Sequence, residues 1–291
     1  MRSYRWVSIY LCAAAGRAFG DDIGGVQDIT QMSLDDLLKT DVDVASKVPQ
    51  TFREVPGVIT VVTREEIMDS GARDLEDVLL LVPGFTLGID VEAVTDVAVR
   101  GNWGHEGKVL LLVDGQQMNE TLYSTNQLGN HYPIDQIERI EIIRGPGSAI
   151  YGGYAELAVI NVVTRGADEL DGVAVYGHAG VMSDTYGHLN LSVAAGETVG
   201  PGVKLSLSGL FGQGHRGHGD FTDFYGSSFP LTDHELDPAF INFGAKYKDL
   251  SLRFIYDHFG NDEEDGLAEN ETKPIEQKFI GYFGELAYKW R

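Results

Sequence analysis

The residues best suited to chemistry lie in acidic, glycine-rich stretches. Gly214-His215-Arg216-Gly217-His218-Gly219-Asp220, with Asp220, Asp223, Asp233 and Asp237, offers carboxylate oxygens of the kind calcium prefers. Solvated loop carboxylates are the favoured reading of the same residues, so no metal is assigned and calcium stays an alternative. Asp262-Glu263-Glu264-Asp265 reads as a solvated charge run. Gly145, Gly147 and Gly152 do not follow the Gly-x-Gly-x-x-Gly spacing, and no Gly-Lys-Ser/Thr follows them, which rejects a phosphate loop. No Ser/His/Asp or Cys/His spacing supports a nucleophile, so no catalytic residue, enzyme activity or cofactor is expected. Lys+Arg number 22 against 44 Asp+Glu, a formal net charge of -22. That surface repels phosphates and excludes nucleic acid as a partner.

The elements that must position these loops begin after an export signal. Arg2 and Arg5 precede the apolar stretch Trp6 to Ala15, and Ala18-Phe19-Gly20 offers small residues where a signal peptidase reads. Residues 1–20 are expected to be a removable signal peptide, being much shorter in apolar length than the ~20 residues of a spanning helix. The sole cysteine, Cys12, falls inside it, which leaves the mature chain without a thiol.

From about Asp21 to Gly166 short helices and strands alternate, an α+β pattern. Ser33-Leu34-Asp35-Asp36 is a capping-box pattern for a short helix through Leu37 and Leu38, and Asp41 to Ser46 reads as extended and polar. A strand over Val58 to Val62 precedes a second capping box, Thr63-Arg64-Glu65-Glu66, and a helix stopped by Gly71. Asp74 caps a further helix, expected to run to Pro83-Gly84. Val97 to Arg100, Val109 to Val113 and Ile140 to Ile143 read as strands, with Asp114-Gly115 as a turn.

From Gly172 the hydrophobic period becomes two. Leu189, Leu191 and Val193 alternate with His188, Asn190 and Ser192. Leu205 and Leu207 alternate with Ser206 and Ser208, and Leu250, Leu252 and Phe254 with Ser251, Arg253 and Asp257. Six such strands are expected, each with one apolar and one polar face. Long connections (Gly212 to Asp237; Gly260 to Pro274) sit at one end and short ones (Glu197 to Gly202; Lys248-Asp249) at the other, the asymmetry of an outer-membrane barrel. The join Ser183-Asp184 is a short exception.

The first unit then resembles a known family. Glu54 to Thr63 (EVPGVITVVT), Leu79 to Gly84 (LLLVPG), Val99-Arg100-Gly101, Val109 to Gly115 (VLLLVDG), Ile137 to Gly152 (IERIEIIRGPGSAIYG) and Ala158 to Thr164 (AVINVVT) are similar, in order and spacing, to the plug domain of TonB-dependent outer-membrane receptors. The resemblance implies a signal peptide (1–20), an N-terminal segment carrying a TonB box (21–46), a plug (47–166) and the first strands of a transmembrane β-barrel (172–291). The family's barrel has about 22 strands, of which this chain would hold six, so it is expected to be a fragment of the transporter.

What the resemblance implies for function follows residue by residue. Asp41, Val42, Asp43, Val44, Ala45 and Ser46 are the candidate TonB box, pairing with the TonB protein as an added strand; a polar linker is the alternative. Arg100 and Arg144 match positions that contact glutamates on the barrel wall, or else satisfy carbonyls of plug loops. Asp90, Glu92, Asn119, Tyr123 and Asn126 fall in apical plug loops expected to face ligand, with ordinary polar loop residues as the alternative. The expected activity is TonB-dependent uptake of a large, scarce metal-chelate ligand (ferric siderophore, haem or cobalamin) through the outer membrane of a Gram-negative bacterium, with outer-membrane lipid around the wall. The rivals are an exported calcium- or carbohydrate-binding β protein and a secreted hydrolase working through paired carboxylates.

Overall fold

A computed structural model describes residues 58–89, 94–147, 151–182, 186–217, 219–231, 235–263 and 275–290, with the pairs 11–12, 41–42 and 50–51. The helix expected after Ser33 lies outside the described residues. The first large unit opens with strand β1 (Ile59–Thr63) and helix α1 (Arg64–Ser70). Thr63 and Glu66 form the reciprocal capping box, satisfying backbone N–H groups that the first helical turn leaves without partners. Gly71 then closes the helix at φ 68°, a left-handed conformation that a side chain would disfavour. Asp74 caps α2 (Leu75–Leu79) through the Asp77 N–H. That helix ends five residues before Gly84; successive turn hydrogen bonds carry the chain onward from there.

Strands β2 (Phe85–Ile89) and β3 (Thr95–Val99) make a small sheet with Asn102–Trp103. Strand β2 carries no clear alternation in the sequence. The central strands are β4 (Val109–Val113), β5 (Gln116–Gln117), β6 (Ile137–Arg144) and β7 (Ala158–Thr164). They order as β1-β6-β7-β4-β5, with β7 and β4 parallel and the other pairs antiparallel. Every residue of Val109–Val113 is buried, as its unbroken apolar run requires when both faces are covered. Asp114 and Gly115 turn the chain at φ 49° and 83°, the mirror-image turn that fits a tight hairpin.

A short helix, α3 (Ala167–Leu170), leads into β8 (Gly172–Val181), β9 (Tyr186–Val199) and β10 (Val203–His215). After a small hairpin of β11 (Gly219–Thr222) and β12 (Ser228–Leu231) come β13 (Glu235–Tyr247), β14 (Leu250–Glu263) and β15 (Ile275–Tyr288). The six long strands pair consecutively and antiparallel. Their number matches the alternation, although the connection after β10 contains a hairpin instead of continuous loop. Leu11–Cys12 adds two residues to the free edge of β8, opposite Gly177 and Tyr176. The sheet does not close among the described residues.

The orientation of this sheet is inverted relative to a water-soluble protein. Leu252 (45% exposed), Tyr282 (69%) and Leu286 (72%) face outward, as do Leu189, Leu191, Leu207, Phe211 and Phe254. Ser192 (0%) and Ser208 (4%) are buried against the first unit together with Asn242 and Asp257. Lipid tolerates the outward leucines, each of which would forfeit about 1.5–3 kcal/mol of burial if it faced water. Leu210, Phe240 and Ile255 are among the inward exceptions; they join one continuous core with Leu79, Val97, Leu111 and Ile140.

Candidate transport site: the first unit against its wall

The inward polar face of the sheet meets the first unit at several levels. Nearest the short turns, Asp114 collects four groups. The Thr164 N–H and hydroxyl each donate to its carboxylate at 2.7 Å, the Asn242 amide donates at 2.9 Å, and the Arg253 guanidinium donates to its backbone carbonyl. Asn161 accepts the next N–H, from Gly115, at 3.1 Å. Midway, the Gln136 amide donates to the Val193 carbonyl at 2.7 Å, and His178 Nε2 lies 2.6 Å from Asp135 Oδ2. Towards the long connections, Asn130 and Asn190 exchange side-chain amide hydrogen bonds, and His131 Nε2 lies 2.6 Å from Asp257 Oδ1.

Of the wall members of this set, Asn190, Arg253 and Asp257 stand on the polar faces marked by the alternation above, and His178 and Asn242 alternate likewise with Ala179 and with Ile241 and Phe243. Their partners were not found from sequence. Asp114 carried only a turn signal, and nothing local distinguishes Asn130, His131, Asp135 or Gln136 from ordinary loop residues, because the groups they meet are 43 to 139 residues away.

A cavity of about 450 Å³ opens between the loop Met118 to Tyr123 and strand β15, with Asp257 and Lys278 on its wall. Tyr123 and Leu122 are exposed there. The loop is held by the Glu120 carboxylate, which accepts from the N–H groups of Leu122, Tyr123 and Thr125. Two of the residues expected to face ligand instead turn inward. Asn119 accepts from the Leu111 N–H at 3.0 Å and donates to the Val109 carbonyl at 2.9 Å; Asn126 donates to the same carbonyl at 3.1 Å. Both side chains satisfy buried backbone groups that β5, only two residues long, cannot reach. Asp90 and Glu92 lie outside the described residues.

Arg100 is exposed and takes φ 53°, its N–H bonded to the Gly84 carbonyl at 2.7 Å. Arg144 donates from Nη1 to the Pro83 carbonyl at 3.2 Å, the loop-carbonyl alternative, while its buried Nε makes no hydrogen bond among the described residues. Of the TonB-box candidate, Asp41–Val42 forms a two-residue antiparallel pair with Gln50–Thr51; Asp43 to Ser46 lie outside the described residues. Of the calcium candidates, Asp220 and Asp237 are exposed, Asp223 accepts from the Ser227 N–H at 2.8 Å, and Asp233 is outside the described residues. Among the described residues, no three His, Cys, Asp or Glu side chains gather as metal ligands.

Burial also perturbs the acids beside α2. Desolvation, aided by the charge of Asp74, pushes the Glu76 carboxyl up to about 8, so it is protonated at neutral pH. Desolvation raises Asp74 as well, although its carboxylate accepts from the N–H groups of Asp77 and Asn130.

A plug-like α+β unit bonded to the polar face of an inside-out sheet defines the class: an outer-membrane β-barrel protein of the plugged kind, present here as plug and partial wall. Comparison with known proteins agrees. Residues 51–156 match the TonB-dependent Receptor Plug Domain. The chain is 32% identical over 229 residues to the Vitamin B12 transporter BtuB of Vibrio vulnificus, covering 79% of this chain and 34% of that protein. It is 37% identical over 141 residues to an iron-regulated outer membrane virulence protein of Vibrio cholerae, covering 45% and 21%. Among solved structures, BauA, the ferric preacinetobactin receptor of Acinetobacter baumannii, superposes with a TM-score of 0.53 at 16% identity, covering 77% of this chain and 31% of that one. The siderophore receptor PiuA of the same species gives 0.52 at 18%, covering 80% and 30%. Residues 51–156 thus carry the plug domain of TonB-dependent receptors, and the relatives that the chain resembles are outer-membrane transporters and receptors of Gram-negative bacteria. The chain spans about a third of the length of the cobalamin transporter it matches.

Proposed function

We propose that this chain is the plug and first wall of a TonB-dependent transporter that imports a large, scarce ligand of the cobalamin, haem or ferric-siderophore class across the outer membrane. The single observation that carries the reading is the inverted sheet: apolar side chains face lipid while Asn190, Asn242, Arg253 and Asp257 bond the plug. A water-soluble calcium- or carbohydrate-binding protein has no use for that outward face. Further strands would complete the barrel, since an open edge in lipid leaves backbone groups unsatisfied. On such strands, glutamates would meet Arg100 and the free Nε of Arg144. Tyr123, Asp90 and Glu92 would face the ligand from the outward side of the plug, and the outward apolar face would sit in outer-membrane lipid.

Energy must come from the inner membrane, because the outer membrane has no nucleotide supply. Asp41 to Ser46 would pair with TonB as an added strand, a contact made by main-chain hydrogen bonds. Val44→Pro in the complete transporter removes one N–H from that ladder and fixes φ. Energised uptake of radiolabelled ligand is expected to fall at least about tenfold while adsorption of ligand to cells is unchanged. Unchanged uptake would remove Asp41 to Ser46 from the proposal; loss of adsorption as well would point to a misassembled plug.

A further inference from the structure

His131 stands out among the plug's contacts with its wall because its ring is wholly buried and both nitrogens face acceptors. Nδ1 is 2.6 Å from the Gln127 carbonyl and Nε2 is 2.6 Å from Asp257 Oδ1. A carbonyl oxygen can only accept, so Nδ1 carries a proton. The second short contact, to a carboxylate, is strongest when Nε2 carries one too, which makes the ring an imidazolium in a charge-assisted pair. The ring is walled by Tyr132, 4.3 Å away centroid to centroid, and by Phe259, 4.9 Å away. From β14 the facing charged group is Asp257; from its own segment the facing titratable group is the neutral Tyr132 phenol, whose buried hydroxyl has no hydrogen-bond partner among the described residues. On the cavity side of Asp257 stand Lys278 and Glu120.

We infer that His131 and Asp257 form a proton-held latch that positions the plug against the wall, an inference that rests on the plug-and-wall reading above. His131 is a positioning residue; it touches no cavity wall itself, whereas Asp257 does. Breaking such a pair leaves a buried charge without its partner, which is costly well beyond the value of the bond. Seating of the plug is therefore tied to the protonation of one ring. Desolvation opposes the charged ring, but the Asp257 charge and hydrogen bond outweigh it and hold the His131 pKa above its ordinary value. A raised histidine stabilises the seated plug fully below about pH 6.5, and that contribution fades as pH rises through the raised value.

The test is amide hydrogen exchange of residues 127–136 in the complete transporter in detergent micelles, between about pH 6 and pH 9 and corrected for the intrinsic chemical rate. His131→Gln and Asp257→Asn are each expected to raise opening of this segment about tenfold at pH 6 and to converge with the unchanged protein at pH 9. Glu76 titrates in all three proteins, so only the difference between profiles reports the latch. Parallel profiles for the three proteins would overturn it. Should either variant fail to assemble, ring nitrogen-15 shifts of His131 in the unchanged protein decide: two protonated nitrogens at pH 6 support the latch, and one overturns it. Neither readout needs ligand or TonB, so the latch can fail while transport stands, and uptake can fail while the latch stands.

Discussion

The plug sheet and the wall sheet use the same pleated strand to opposite ends. In the plug, Val109–Val113 is apolar at every position because both of its faces are covered by protein. In the wall, alternate residues diverge: Leu252 and Phe254 go out while Arg253 and Asp257 go in. The difference lies in the solvent each face meets. Water expels apolar groups inward in the plug, whereas lipid accepts them on the wall and leaves its polar groups nowhere to go but toward the plug. Two surfaces that would each be unfavourable alone thus satisfy each other, Asp114 and His131 supplying what Asn242, Arg253 and Asp257 need.

Substitutions on the two sheets sharpen that contrast. Leu111→Ala opens a cavity in the fully buried strand and is expected to cost the plug about 3 kcal/mol, read from its urea midpoint by hydrogen exchange of β4 and β7. An effect below about 1 kcal/mol would mean that the plug is not packed as a protein core. Leu191→Lys, near the middle of β9 on the outward face of the wall, is expected to cost about 2–4 kcal/mol of insertion stability at that depth in the bilayer, measured by reversible refolding into vesicles. If the lysine were tolerated without loss, this face would be in water and the inside-out reading would fail.

A third effect concerns the plug alone and depends on pH. Glu76 is protonated in the folded plug up to about pH 8 but ionises near 4.5 once exposed, so folding takes up a proton over that interval. Plug stability therefore declines as pH rises from about 4.5 to 8. Glu76→Gln is expected to flatten the decline and to stabilise the plug at pH 8 by up to about 4 kcal/mol, with little change at pH 4. A variant whose stability still falls as steeply would shift the cause to Asp74 or to the wall contacts.

Much of this molecule is legible in its sequence. The capping box at Thr63 and Glu66, the Asp74 cap, the Gly71 stop and the strand Val109–Val113 depend on neighbours within a few residues, and local chemistry is enough to determine them. Wall strands were legible because lipid and plug impose a strict period of two. Strand β2 escaped, since Phe85 to Ile89 includes Gly88, whose missing side chain makes room for Trp103, and its pattern is too short to stand out. The family motifs marked Asn119 and Asn126 as apical, yet only the folded loop turned their amides onto the carbonyl of Val109.

The sequence by itself determined the two kinds of sheet, the caps and turns between them, and which wall residues are polar. Tertiary structure alone decided that those polar residues face a plug, that Asp114 and His131 are their partners, and that the Leu252 face is the outer one. Alternation names two faces without saying which is inside. That choice is made only when a second surface, far away along the chain, offers the polar groups that one of the faces must bond.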